Sequence, residues 1–417
     1  MGQCCEPNNA QRLNNKNTKK ENKHIDTLPD NYNNYNNYQE KPPSESPQKK
    51  IDTALLQDEK QSSNHNRVPS MGSSIHMSNS GMRISQRTSD IVRSNNANNA
   101  NNIFTPTPFD ANNIRMDKSF TAHDKIIVCM IELDNKMIAT GSYDNTIKIW
   151  NLENPKETCE REIQENGKIF SLLEFEPNIL ITSIDNTPEE GIQDINQVKV
   201  EDIVIKCYDL NERDPKSLFS LTQHKLRVNC LVKCSDKFFA SCSNDNDIII
   251  WDYVKRAYCQ TLSGHNDCVL SMIQLRNKNL CSGSADMTMR IWNWESGDCL
   301  SIITGNNHWI KCLCELENGY IISGLQNNLI EIWNNKENIN ELRGHTRSVR
   351  SICQIGDTNY IASASFDHTI KIWDLDNSQC VKTLDKHTSS VINVIYHSNG
   401  YLISCSNDRT IKTWIIN

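Results

Sequence analysis

The stretch Gly344-His345-Thr346-Arg347-Ser348-Val349, followed by Ser363-Ala364-Ser365-Phe366-Asp367-His368-Thr369-Ile370-Lys371-Ile372-Trp373-Asp374, decides the fold of this 417-residue chain. Apolar residues alternate from Val349 and again from Ile370, the period of strands that bury one face, and Asp367-His368 marks the turn between them. The same frame recurs. Trp150, Trp251, Trp292, Trp333, Trp373 and Trp414 close similar segments at spacings of 101, 41, 41, 40 and 41. Tyr208 divides the wide interval, so there are seven units. Six residues before each Trp stands Asp144, Asp245, Asp286, Asn327, Asp367 or Asp408, and four before those Thr140, Ser241, Ser282, Ser323, Ser363 or Ser404. Upstream lie His123, His224, His265, His345 and His387, each followed after four residues by Ile or Val, which opens an apolar run. A repeat of this length, built from short period-two runs, reads as four antiparallel strands per unit.

Gly264-His265 with Ala285-Asp286 and Ile291-Trp292, and Gly344-His345 with Phe366 through Asp374, resemble the WD repeat, and the resemblance extends over the chain from about residue 114. It implies an all-β fold, a seven-bladed β-propeller around a central channel. It also implies that His, Ser/Thr, Asp and Trp of one unit form a hydrogen-bonded tetrad. Five sets are complete: His123, Thr140, Asp144 and Trp150; His224, Ser241, Asp245 and Trp251; His265, Ser282, Asp286 and Trp292; His345, Ser363, Asp367 and Trp373; His387, Ser404, Asp408 and Trp414. The second unit places Glu165, Ile181 and Tyr208 at the His, Ser/Thr and Trp positions, and the fifth has Asn306 and Asn327. The last unit ends three residues after Trp414, without an outer strand. Residues 114–120, which precede His123 as Cys259 to Leu262 precede His265, are expected to supply that strand and remove an open edge.

Residues 1–113 have a different composition: 22 Asn, 12 Ser, 8 of the 12 Pro and none of the 8 Trp. Too little aliphatic material is present to offset the entropy of ordering, so a disordered Asn/Ser/Pro-rich tail is expected there, and the propeller over 114–417. The net charge of −7 divides into +2 for the tail and −9 for the remainder. An acidic body argues against nucleic acid as a partner, since phosphate contact requires a cationic surplus. Met1-Gly2-Gln3-Cys4-Cys5 resembles a dual-acylation site, with Gly2 for a myristoyl chain and Cys4 and Cys5 for palmitoyl thioesters, although Glu6 stands where Ser or Thr is usual. Arg12, Lys16, Lys19, Lys20 and Lys23 supply a basic patch that would reinforce attachment to anionic lipid. The expected location is cytoplasmic, peripheral on the cytoplasmic face of a membrane.

The many His, Cys and Asp belong to repeat positions. Cys129, Cys230 and Cys312 fall where other units have Ser171, Ser271, Ser351 and Asn393, and Cys242 and Cys405 fall where others have Gly or Ala. They read as small core fillers. Cys312-x-Cys314 lacks the spacing and partner pair of a zinc site. No phosphate loop or nucleophile elbow occurs, so no catalytic residue, metal, cofactor or small-molecule substrate is expected.

Departures from the repeat carry the functional information. The second unit has an insertion over 186–202, rich in Asp and Glu, at the turn after Asp185. The resemblance implies a recognition face built from residues flanking the strand-opening Val and preceding the turn Asp. Here these include Tyr143, Phe170, Arg227, Asn244, Trp309, Lys311, Arg350 and Phe366, expected to lie exposed at the channel mouth. Aromatic and Arg side chains of this kind anchor protein interfaces. Lys311, Arg347 and Arg350 are suited to an acidic or phosphorylated peptide. The expected function is a non-catalytic scaffold or adaptor that binds partner proteins on this face. The alternative is the substrate receptor of a ubiquitin ligase, which many F-box proteins with a WD propeller are.

Overall fold

A computed structural model describes residues 109–153, 158–187 and 199–416. Among them are seven four-stranded antiparallel sheets, six of them built from four strands consecutive in sequence. The innermost strands are Ile127–Glu132, Lys168–Glu176, Val228–Lys233, Val269–Gln274, Ile310–Glu315, Val349–Gln354 and Val391–His397, in blades one to seven. Each innermost strand packs against those of the blades on either side, and the seventh packs against the first, so the blades close into a ring. The result is an all-β seven-bladed propeller.

The seventh blade takes its outer strand from the other end of the sequence. Arg115–Thr121 pairs antiparallel with Thr410–Ile415, from Arg115↔Ile415 to Thr121↔Thr410 with a bulge between Met116 and Lys118. The strand begins one residue later than 114–120. Ahead of it, Ala111 and Ile114 are buried in the cluster between blades six and seven, and Phe109 packs on Tyr360 with ring centroids 4.3 Å apart. Packing that belongs to the ring therefore includes Phe109, ahead of the composition break at residue 113.

The core is not one central mass. Seven hydrophobic clusters each span one junction between adjacent blades, as where Cys312, Ile322 and Ile330 of blade five meet Val349, Ile352 and Ile361 of blade six. The sheets approach closely there. A Cβ added at Gly324 would lie 2.9 Å from Cγ1 of Val349 in the next blade, so the position accepts only hydrogen.

Blade two corrects one residue assignment. The cross-strand register that sets Thr140 opposite Lys148 and Ser363 opposite Lys371 sets Thr182, not Ile181, opposite Lys206. Thr182 is fully buried and donates its hydroxyl to the Ser171 carbonyl at 3.1 Å. Counting back from Asp185 misplaces it because the strand Ile179–Asp185 runs one residue further before the turn. The insertion that follows includes 188–198, which lie outside the described residues. Its stem is held by Asn186 N donating to Asp202 O at 2.9 Å.

Candidate functional site

The tetrads lock the turns that shape one face of the ring. In blade six, His345 Nδ1 lies 2.7 Å from Asp367 Oδ2 and Nε2 lies 2.7 Å from the Ser363 hydroxyl, which also accepts the Trp373 indole N–H at 2.7 Å. Because the carboxylate can only accept, the ring proton sits on Nδ1, and Nε2 of the neutral imidazole accepts from the Ser363 hydroxyl. The second carboxylate oxygen, Asp367 Oδ1, accepts the Thr369 N–H at 3.0 Å, which fixes the turn. The same connections join His123, Thr140, Asp144 and Trp150; His224, Ser241, Asp245 and Trp251; His265, Ser282, Asp286 and Trp292; and His387, Ser404, Asp408 and Trp414.

Blade two uses another solution. Glu165 replaces the imidazole and accepts from the Tyr208 hydroxyl and from Lys206 Nζ, the latter at 2.7 Å. Blade five has none: Trp333 still donates to Ser323 at 3.0 Å, but the buried Asn306 amide has no hydrogen-bond partner among the described residues. Glu331 stands there where blades one, two, six and seven carry Lys148, Lys206, Lys371 and Lys412. Burial pushes its carboxyl up to about 7, and the facing Glu341 acts in the same direction.

Burial opposes the charge of the tetrad carboxylates, but the hydrogen bonds they accept from their histidines and from neighbouring Thr and backbone groups outweigh it. Asp144, Asp245, Asp286, Asp367 and Asp408 are all held below the ordinary 3.8. His387 is lowered from 6.5 by burial, with Asp408 opposing. Groups lowered on folding stabilise above their ordinary value and lose that contribution as pH falls. Glu331, raised from 4.5, acts in the opposite sense between 4.5 and about 7. Denaturant melts across the neutral to acid range are therefore expected to show little net change between 7 and 4.5, where Glu331 and His387 act against each other, and a steep loss of stability below 3.8. A midpoint that rises through that lower interval would contradict the assignment.

On the face these turns support, cations lie over aromatic rings around the channel mouth. Lys168 Nζ is 5.2 Å from the Tyr143 ring centre, the Arg227 guanidinium 4.7 Å from Phe170, Lys311 Nζ 4.6 Å from Trp309 and the Arg350 guanidinium 5.6 Å from Phe366. Tyr143 and Phe170 also meet edge to face at 5.4 Å. These contacts hold flat rings and long cations in defined places. Tyr143, Arg227, Asn244, Trp309, Lys311, Arg350 and Phe366 are half-buried. Phe170 departs from the expectation of exposure: it is 8% exposed, covered by Arg227 and Tyr143, and serves as a support for them. Asn244 is held by Asn229, whose amide donates to its oxygen at 2.8 Å.

Three of the cations influence one another across blades three, five and six. Burial pushes the Lys311 ammonium down to about 7, Arg350 and Arg227 push the same way, and Cys268 and Asp267 of blade four oppose them. Lys168 was not among the sequence candidates, although it occupies the position before the strand-opening Ile169 that Arg227 occupies before Val228. Among the described residues no cluster of three His, Cys, Asp or Glu is arranged to hold a metal ion. Gly2, Cys4 and Cys5 lie outside the described residues.

Residues 115–151, 215–252, 256–293, 336–374 and 378–414 match the family described as WD domain, G-beta repeat. The inner strands of blades two and five, where the tetrad is replaced or lost, fall outside these matches. Cell division control protein 4 of Saccharomyces cerevisiae is 28% identical over 321 residues, 75% of this chain and 35% of that protein. Pre-mRNA-processing factor 19 of Bos taurus is 39% identical over 69 residues, 16% of this chain and 14% of that protein. The chain thus spans well under half the length of these curated relatives. The crystal structure of the WD40 β-propeller domain of Doa1 superposes with a TM-score of 0.60 at 20% identity, covering 72% of this chain and 96% of that one. At this identity the likeness concerns the fold.

Proposed function

Because the chain belongs to the WD-repeat family, we propose that it is a non-catalytic interaction scaffold whose channel-mouth face takes an anionic segment of a partner protein. The observation that carries this reading is the convergence of Arg227, Lys311 and Arg350 from three blades, on a body whose net charge is −9. Like charges gathered in a half-buried place favour an anion that neutralises them. Trp309 and Phe366, each set against one of these cations, supply apolar contact beside the charge. The tail is proposed to hold this body at a membrane through Gly2, Cys4 and Cys5.

Affinity capture with the full chain and with a Trp309→Ala/Arg350→Ala variant tests the face. Loss of two anchor contacts costs at least about 2 kcal/mol, so captured partners should fall roughly 30-fold. Identical partners from both proteins would refute this choice of face, and recovery of ubiquitin-ligase components with the wild type would favour the substrate-receptor alternative. In the same cells Gly2→Ala should leave the membrane fraction, and unchanged membrane recovery would end the tether reading.

A further inference from the structure

Cys230 and Cys242 of blade three are direct cross-strand partners, Cys230 on Val228–Lys233 and Cys242 on Phe238–Ser243. The corresponding pairs elsewhere are Cys129–Gly141, Ser171–Ser183, Ser271–Gly283, Cys312–Gly324, Ser351–Ala364 and Asn393–Cys405, so blade three alone among the described blades sets a thiol against a thiol. The facing direction is shown by its neighbours. A Cβ built on Gly141 would lie 2.7 Å from the Cys129 sulfur, and one on Gly324 would lie 2.5 Å from the Cys312 sulfur. At this register position the inner-strand sulfur therefore points at the Cβ of its partner. Where that partner is cysteine, the two side chains meet, at a cross-strand separation within the range a disulfide spans.

We propose that Cys230 and Cys242 are a peroxide-responsive thiol pair that closes to a disulfide. Cys230 is half-buried, on the innermost strand of its blade, while Cys242 is fully buried behind it. The environment divides the roles. A hydrogen bond from the Cys242 thiol lowers Cys230 below the ordinary 9.0, whereas burial raises Cys242 well above it, with Cys230 acting the same way. Cys230, the more accessible of the two to peroxide, is the attacking sulfur and Cys242 the resolving one.

The Cys230 sulfur attacks one oxygen of hydrogen peroxide. The O–O bond breaks and the departing hydroxide leaves as water with the Cys230 proton, giving a sulfenic acid. The Cys242 sulfur next attacks the Cys230 sulfur, the S–O bond breaks, and a second water leaves with the Cys242 proton. Two thiols are oxidised by two electrons while one peroxide is reduced to two waters.

The full chain, treated with hydrogen peroxide, is unfolded in alkylating agent and digested for mass spectrometry. The expected product is a linked peptide joining Cys230 to Cys242, two hydrogens lighter than its parts and released by a reducing agent. Cys242→Ser should stop the reaction at the Cys230 sulfenic acid, captured by dimedone, and Cys230→Ser should leave Cys242 fully alkylated. Both variants place a residue already found at the matching position, Ser183 for 242 and Ser171, Ser271 or Ser351 for 230, so folding is retained. Complete alkylation of both cysteines at a dose that oxidises the exposed Cys259, Cys299 and Cys380 would overturn the proposal, as would dimedone capture on Cys242 in place of Cys230.

Discussion

Deletion of residues 1–122 will abolish the cooperative melt and yield an aggregating chain, whereas deletion of 1–108 will leave the transition unchanged. The first cut removes Arg115–Thr121, baring the edge of Thr410–Ile415 along a register of six residue pairs. It also takes Ile114 and Ala111 from the cluster that holds Trp414, Ala122 from the one that joins blades seven and one, and Phe120 from its place against Trp150 at 5.2 Å. A ring distributes its core over its junctions, so opening one leaves a free strand edge and apolar surface together. The loss is comparable with the whole folding free energy of a domain, about 5–15 kcal/mol. Circular dichroism melts and gel filtration of the two deletions decide the matter. Equal melting temperatures would show that the strand does not hold the ring closed. A cut after residue 110 should fall between them, since it forfeits the Phe109–Tyr360 contact and the hydrogen bond from Asn113 N–H to the Asp110 carbonyl, about 2 kcal/mol together.

The second large effect concerns a single oxygen. Ser363→Ala removes the hydroxyl that joins the His345 imidazole to the Trp373 indole at the centre of blade six, where all three side chains are buried. Two buried polar groups lose their partner at about 1–3 kcal/mol each, so a loss of about 2–6 kcal/mol is expected. Ser323→Ala in blade five breaks only the bond from Trp333, because Asn306 makes none to that hydroxyl. Its cost should be about half as large. Urea denaturation of both variants measures the difference, and equal losses would mean that the histidine contributes nothing to the tetrad.

Most of the propeller was legible because its information is periodic. Trp150 through Trp414, the Ser/Thr and Asp at constant offsets from them and the His 27 or 28 residues ahead mark the strands and turns of each blade, and each hydrogen bond of the tetrads connects positions that the repeat retains. Blade two escaped at Thr182 because its strand and insertion alter the offset from the turn. Its replacement for the tetrad escaped too, since Glu165, Lys206 and Tyr208 fit no repeated pattern and find one another only through register. Lys168 was legible in principle, standing in the same frame as Arg227. Phe170 was read as open surface because nothing in the chain order shows that Arg227, from the next blade, lies across it.

The sequence by itself determined the number of blades, the residues that lock their turns and the need for a strand from the other end to complete the last sheet. These follow from local spacing, which a strand pair preserves in three dimensions. Tertiary structure alone decided that Phe109 packs on the ring against Tyr360, and which cations gather at the channel mouth. It also decided that one pair of cysteines faces across a sheet. The first two relations join residues 39 to 251 positions apart and exist only once blades close on one another, whereas the cysteine pair follows from the register of two strands within blade three.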